Sequence, residues 1–240
     1  MSDLIKAMRE LVIANRILAK EGVLDAYGHV TIRHPDDPKK FLMSRSRSPE
    51  LVTLSDIITF NLDCSPIDDL GRPMYAERPI HGAIYEARPD VMAVCHNHAY
   101  DLIPFGVTNK PMRPIFHVAG GTGAHVPVWD IKTKFGDKTN LLVVNMEQGR
   151  DLAKALDKNT VVLMRGHGCA VGGTSIYECV MVSLYTMVNA RVLMDAMRLG
   201  GEITYLSPGE IEEQQKVIRS PLAVNRAWEY LVRRAGCENL

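Results

Sequence analysis

Glu77-Arg-Pro-Ile-His-Gly-Ala-Ile-Tyr-Glu-Ala-Arg-Pro-Asp-Val-Met-Ala-Val-Cys-His-Asn-His98 is the stretch that decides the fold of this chain. It reads as a carboxylate, a short helix and a buried strand that ends in His-x-His. Pro79 fits the first helical turn, where its missing N–H costs nothing. Ile80, Ala83, Ile84 and Ala87 follow at helical spacing and give one apolar face. Pro89 stops the helix. Val91 to Cys95 is then a continuous apolar run, as expected of a strand buried on both faces. His96 and His98 stand at its C-terminal end. Residues two apart on a strand point the same way, so the two imidazoles converge. On a helix they would diverge, because neighbours there are three or four apart. Two convergent imidazoles at the exit of a buried strand point to a metal site that still needs a third ligand.

Downstream, Val161 to Met164 is a second buried strand, and Arg165-Gly-His-Gly168 turns out of it. His167 relates to that strand much as His98 relates to Val91–Cys95. The expectation is that the two strand ends meet at one edge of a sheet. Three histidines on a divalent metal leave open positions for a substrate. Asn145-Met-Glu-Gln148 resembles a capping box opening a helix to about Leu156. Ser175-Ile-Tyr-Glu178 opens a long apolar helix to about Leu199, closed by Gly200-Gly201. Pro208-Gly-Glu210 starts a polar C-terminal helix. Ala119-Gly-Gly-Thr-Gly123 is not a phosphate loop, because no Lys-Ser/Thr follows and Pro127 stands where a helix should begin.

Upstream, residues 3–20 form an amphipathic helix, with Gly22 just past its end. Asp25-Ala-Tyr-Gly-His29 turns into a strand, His29–Arg33. A second strand, Phe41–Ser44, pairs back on it as a hairpin. Arg45 and Arg47 follow in a polar loop, and Ile57–Leu62 is a third strand. Hairpins among these early strands favour a mixed or antiparallel sheet with helices on its faces, not a doubly wound parallel sheet.

The 240 residues show no linker, repeat or low-complexity run, so residues 1–240 are expected to form one domain. The 28 basic and 28 acidic residues cancel, which gives no footprint for nucleic acid or an anionic membrane. No apolar run approaches transmembrane length, and the N-terminus lacks a signal peptide's pattern. Five cysteines, mostly in apolar surroundings, read as reduced thiols in a cytoplasmic protein.

Four pieces resemble the class II aldolase/adducin family: Tyr27-Gly-His-Val-Thr31, Glu77 ahead of a helix, His96-Asn-His98, and Arg165-Gly-His-Gly168 ahead of the long helix. They span most of the chain in the family's order. The resemblance implies one three-layer α/β/α domain around a mainly antiparallel, mixed sheet. It implies metal ligation by His96, His98 and His167, most simply of Mn²⁺, although three imidazoles suit Zn²⁺, Fe²⁺ or Co²⁺ as well. It implies Glu77 as the catalytic acid/base, and a cyclic homotetramer with sites at subunit borders.

Sugar-phosphate aldolases of this family carry Gly-Asn-Val-Ser in the early turn and a Ser-Ser pair before the glutamate. Here the turn is Gly28-His-Val-Thr31, and Tyr75-Ala76 precedes Glu77. The chain looks more like a branch that decarboxylates hydroxylated aromatic dicarboxylates, whose best-known members act on 3-hydroxy-2-methylpyridine-4,5-dicarboxylate and on 3,4-dihydroxyphthalate. A sugar-phosphate aldolase or epimerase is the alternative. An ortho-hydroxy aromatic acid can chelate the metal through phenolate and carboxylate oxygens. Glu77, kept protonated by apolar surroundings, is expected to protonate the ring carbon that loses CO₂. His29 is expected to act beside it. Ser44, Arg45, Arg47 and Arg78 are the candidates for binding substrate, since a guanidinium suits a second carboxylate.

Overall fold

The computed structural model describes residues 2–240. β1 (His29–Arg33), β2 (Lys40–Ser44) and β3 (Ile57–Asn61) form an antiparallel meander, with Ile32 opposite Leu42 and Leu42 opposite Thr59. On its other edge β1 pairs antiparallel with β4 (Ala93–Asn97). The sheet continues through β7 (Gly168–Gly173) and β6 (Val161–Met164) to β5 (Val128–Trp129). The order is β3-β2-β1-β4-β7-β6-β5, and among the described residues only the β5–β6 pair is parallel. The mixed, mainly antiparallel sheet expected from the hairpins is therefore the one observed.

Strand alternation divides the core in two. Val30, Ile32, Leu42, Ala93, Cys95, Cys169 and Val171 face one side. There they meet α1 (Asp3–Lys20), through Leu11, Ile17 and Leu18, and α6 (Ile176–Leu199). Phe41, Met43, Ile58, Phe60, Val94, Val162 and Ala170 face the other side. That side is covered by α2 (Arg78–Ala87) and α5 (Met146–Leu156). Each fully buried Leu or Ile contributes about 1.5–3 kcal/mol of transfer free energy. The result is three layers, α/β/α. By length and composition α6 is apolar enough to cross a membrane, contrary to the reading of the bare sequence, but here it packs on the sheet.

Three sequence expectations need correction. The strand placed at Val91–Cys95 runs from Ala93 to Asn97, because the Val91 N–H closes a turn onto the Arg88 carbonyl. His96 thus lies inside the strand and not beyond it. β7 was not foreseen: Gly-Cys-Ala-Val-Gly-Gly carries no long apolar run. Its small residues are sterically required. A Cβ on Gly173 would stand 2.6 Å from the Cys179 nitrogen, and one on Gly168 would stand 2.1 Å from the Asn97 carbonyl oxygen. β7 separates β4 from β6, so the two histidine-bearing strands are not neighbours. The C-terminal helix is two helices, α7 (Pro208–Ile218) and α8 (Pro221–Arg234), broken at Ser220-Pro221 where Pro begins a new first turn. The short helices α3 (Ile103–Val107) and α4 (Ile131–Phe135) complete the set.

A candidate metal centre at the end of the central strands

Three elements bring Glu77, His96, His98 and His167 together, with one ligand atom from each lying within 4.8 Å of the others. β4 supplies His96, which sits opposite His29 on β1 and Ala170 on β7. His98 follows just past the strand, where Asn97 Oδ1 accepts from the Ala99 N–H at 3.1 Å and turns the chain. His167 rides the tight β6–β7 turn: Gly166 takes φ +65°, and the His167 N–H closes onto the Met164 carbonyl at 3.0 Å. Glu77 occupies the N-cap of α2, yet its side chain makes no capping bond. Instead Oε1 accepts from the Val143 N–H at 2.9 Å, and Oε2 stands 3.5 Å from Nε2 of both His96 and His167.

The donor set fits a divalent cation. His96 Nδ1 lies 3.0 Å from the Cys169 carbonyl oxygen, and His98 Nδ1 lies 3.1 Å from Asp25 Oδ2. Both partners are acceptors, so each Nδ1 carries the proton and each Nε2 presents a lone pair. Those two Nε2 atoms face each other at 3.1 Å. Opposed lone pairs repel unless a cation or a proton lies between them. Carbonyl or carboxylate support on the far nitrogen is how proteins orient metal-binding imidazoles.

The electrostatics follow from burial. Burial pushes the Glu77 carboxyl up, but a proton on the His96 and His167 rings, standing where a cation would, outweighs it and holds the group far below the usual carboxylate range. The expectation that apolar surroundings keep Glu77 protonated is therefore corrected: in the protein alone it is a carboxylate. Burial, assisted by His96, lowers His98, although Asp25 opposes this. Asp25 is raised by burial, but the Tyr27 and Gly28 N–H groups and His98 bring it below its ordinary value.

His29 is buried beside this cluster, its ring 5.1 Å from His96 and 4.5 Å from Tyr75 between centroids. Its Nδ1 lies 2.7 Å from Nε2 of His81, which is buried in α2. His81 Nδ1 lies 2.8 Å from Thr31 Oγ1, which is itself 2.8 Å from the Tyr85 hydroxyl. Burial, with neighbouring imidazoles, lowers His29 well below its ordinary value and His81 to about 3.

Arg45 and Arg47 share Asp56, at 2.6 and 2.8 Å. Burial raises the Asp56 carboxyl, but Arg45, Thr53 and Arg47 bring it down to about 2. Two guanidinium groups against one carboxylate leave one positive charge. Ser44 is buried at the end of β2, and the Tyr75 hydroxyl donates to the Arg47 carbonyl, which ties this loop to the wall beside His29. Arg78 donates to the carbonyls of Cys64 and Tyr75 and so braces the start of α2.

Two supporting residues were missed from sequence. Asp25 was seen only as part of a turn, although a carboxylate just ahead of Gly28-His29 was the available signal. His81 follows Glu77 by four residues, the spacing that puts two side chains on one helix face.

The Class II Aldolase and Adducin N-terminal domain model matches residues 9–194. The chain is 34% identical to Decarboxylase tropJ of Talaromyces stipitatus, over 94% of this chain and 92% of that protein. It is 26% identical to the 3,4-dihydroxyphthalate decarboxylase of Arthrobacter keyseri, over 86% of this chain and 85% of that one. Its fold superposes on an aldolase II superfamily protein from Pseudomonas syringae with TM-score 0.80 and 22% identity, covering 100% of this chain and 96% of the other. Both named relatives break carbon–carbon bonds; this chain is likewise a lyase, and it belongs to the class II aldolase and adducin N-terminal domain family.

Proposed function

We propose that this protein is a divalent-metal-dependent decarboxylase of a hydroxylated aromatic or pyridine dicarboxylate. The observation that carries the reading is the meeting of Glu77 with three imidazoles, one ligand atom from each lying within 4.8 Å of the others. Similarity to two decarboxylases directs the chemistry toward loss of CO₂. His96, His98 and His167 would hold the cation, with Mn²⁺ our preferred ion. When bound, it supplies Lewis acidity that draws electrons toward the oxygen of the ring hydroxyl.

The rest is the work of this chain's side chains. Glu77 enters as a carboxylate and takes the proton of the ring hydroxyl. Now a carboxylic acid, it delivers that proton to the ring carbon bearing the carboxylate. The bond from this carbon to the carboxylate breaks, CO₂ departs, and the electron pair returns to the ring and restores aromaticity. One proton from water then neutralises the product oxygen. Arg45 and Arg47, with their surplus positive charge, anchor the second carboxylate. Arg78, engaged on two backbone carbonyls, is a weaker choice. Ser44 lies at the foot of the same loop. The absence of a hydroxyl at Ala76, and the turning of the Tyr75 hydroxyl onto the Arg47 carbonyl, leave no serine-like cradle for a sugar phosphate.

The assay is CO₂ release by Mn²⁺-loaded protein from a panel of hydroxylated aromatic dicarboxylates, run beside cleavage of phosphorylated ketoses. Turnover of an ortho-hydroxy dicarboxylate is expected. Efficient aldol cleavage without CO₂ release would replace the proposal with a sugar-phosphate aldolase. We further propose a cytoplasmic homotetramer whose sites lie at subunit borders. A fully active monomer in sedimentation at micromolar concentration would refute it.

A further inference from the structure

Metal binding accounts for His96, His98 and His167, but not for the buried chain His29–His81–Thr31–Tyr85. We infer that this chain locks His29 in the tautomer with its proton on Nε2, so that His29 serves the reaction as a neutral hydrogen-bond donor and not as a base. His81 and Thr31 are then positioning residues.

The direction is read from the far end. The Tyr85 phenol is buried, and its partner is Thr31 Oγ1 at 2.8 Å. A neutral phenol buried there must give its proton to an acceptor, so Thr31 accepts. The Thr31 hydroxyl has one proton of its own and two places for it: His81 Nδ1 at 2.8 Å and the Val94 carbonyl at 3.4 Å. The shorter contact lies at the mode for a hydroxyl donor, and the longer lies beyond the normal range. His81 Nδ1 is therefore an acceptor, which puts the His81 proton on Nε2. That proton is given to His29 Nδ1 at 2.7 Å. His29 Nδ1 is in turn an acceptor, and its ring proton sits on Nε2. All bonds then run one way, an arrangement in which each strengthens the next.

Reversing the run requires the proton on His29 Nε2 to leave and another to enter at the far end. The far end is a buried tyrosine, and His29, His81 and Thr31 are at most 1% exposed. With no entry for a proton at the far end, the tautomer is set by folding and cannot turn over with the reaction. A fixed Nε2–H suits an anionic oxygen, such as a carboxylate or a phenolate. It cannot take the ring hydroxyl's proton, which leaves that role to Glu77. Only the identity of this oxygen rests on the decarboxylase reading; the tautomer does not.

The test is two-bond proton–nitrogen correlation NMR on ¹⁵N-histidine-labelled protein loaded with diamagnetic Zn²⁺, with His29 assigned by its loss in His29→Gln. His29 and His81 are both expected as Nε2–H tautomers, unchanged from pH 6 to 8. A His29 signal with its proton on Nδ1 would overturn the inference. Thr31→Ser should keep the pattern. Thr31→Val removes the directing hydroxyl and should release His29 into a mixture of tautomers, with turnover lowered about tenfold and bound metal unchanged. A Thr31→Val protein that keeps the pure Nε2–H signal, or a folded Thr31→Ser protein that loses it, would equally refute the role of Thr31. Failure of every aromatic dicarboxylate as substrate would sink the decarboxylase reading while leaving the NMR result to stand or fall by itself.

Discussion

His29 and His96 stand directly opposite each other on β1 and β4, with ring centroids 5.1 Å apart. Opposed residues on antiparallel strands share a face. One register therefore sets a candidate metal ligand beside a fully buried imidazole that is tied into α2. The backbone ladder, not a loop, fixes their separation.

Metal retention probes the three imidazoles. His98→Ala removes a ring and should abolish stoichiometric metal binding while far-UV circular dichroism remains native. Full metal content in the purified variant would show that the cluster is not the site. Asp25→Asn keeps the shape but weakens the support of His98 Nδ1. It should lower metal affinity by about 10–100-fold, the usual loss for an outer partner. An unchanged dissociation constant by chelator competition would remove Asp25 from the site.

Stability of the metal-free protein should fall as the solution is acidified. His29, His81 and His98 all have folded values below the ordinary 6.5. Each is neutral when folded and takes up a proton on unfolding once the pH drops below about 6.5. Stability is full above that pH and declines below it, toward about 3 for His81. The slope is roughly 1 kcal/mol per pH unit for each fully buried ring. Denaturant titrations at pH 7.5 and 5.5 measure it, and a flat profile would contradict the burial described here.

Gly173→Ala should destabilise the fold by about 1–3 kcal/mol, the cost of overpacking. The added methyl would meet the backbone nitrogen of Cys179 at 2.6 Å and its Cα at 2.9 Å. Neither atom belongs to a flexible side chain, so relief requires α6 to shift. A midpoint in urea equal to that of the parent would show that the helix moves freely.

These positions also show what the sequence made legible. α1, β1, β6 and α6 carry strong periodicity or caps, and they form where periodicity puts them. β7 was invisible because Gly168, Gly172 and Gly173 answer to neighbouring backbone and side chains, a constraint that leaves no apolar pattern in the strand itself. The meeting of His96, His98 and His167 was legible because His-x-His on a strand and Gly-His-Gly in a turn keep their meaning locally. Asp25 and His81 were not, because their roles exist only after β1, β4 and α2 pack together. The charge of Glu77 was misread for the same reason: burial was foreseeable, but the two imidazoles 3.5 Å from its carboxylate were not.

The central claim is that Glu77 moves the proton while the three imidazoles hold the cation, and Glu77→Gln tests it most directly. The variant keeps the size and can still hydrogen-bond the Val143 N–H, but it can neither take nor give a carboxylic proton. CO₂ release from an ortho-hydroxy aromatic dicarboxylate should fall by about 10²–10⁴-fold, the range for a general acid or base, with metal content unchanged. Near-normal turnover, or loss of the metal, would contradict the account: the first gives proton transfer to another group, and the second makes Glu77 a ligand.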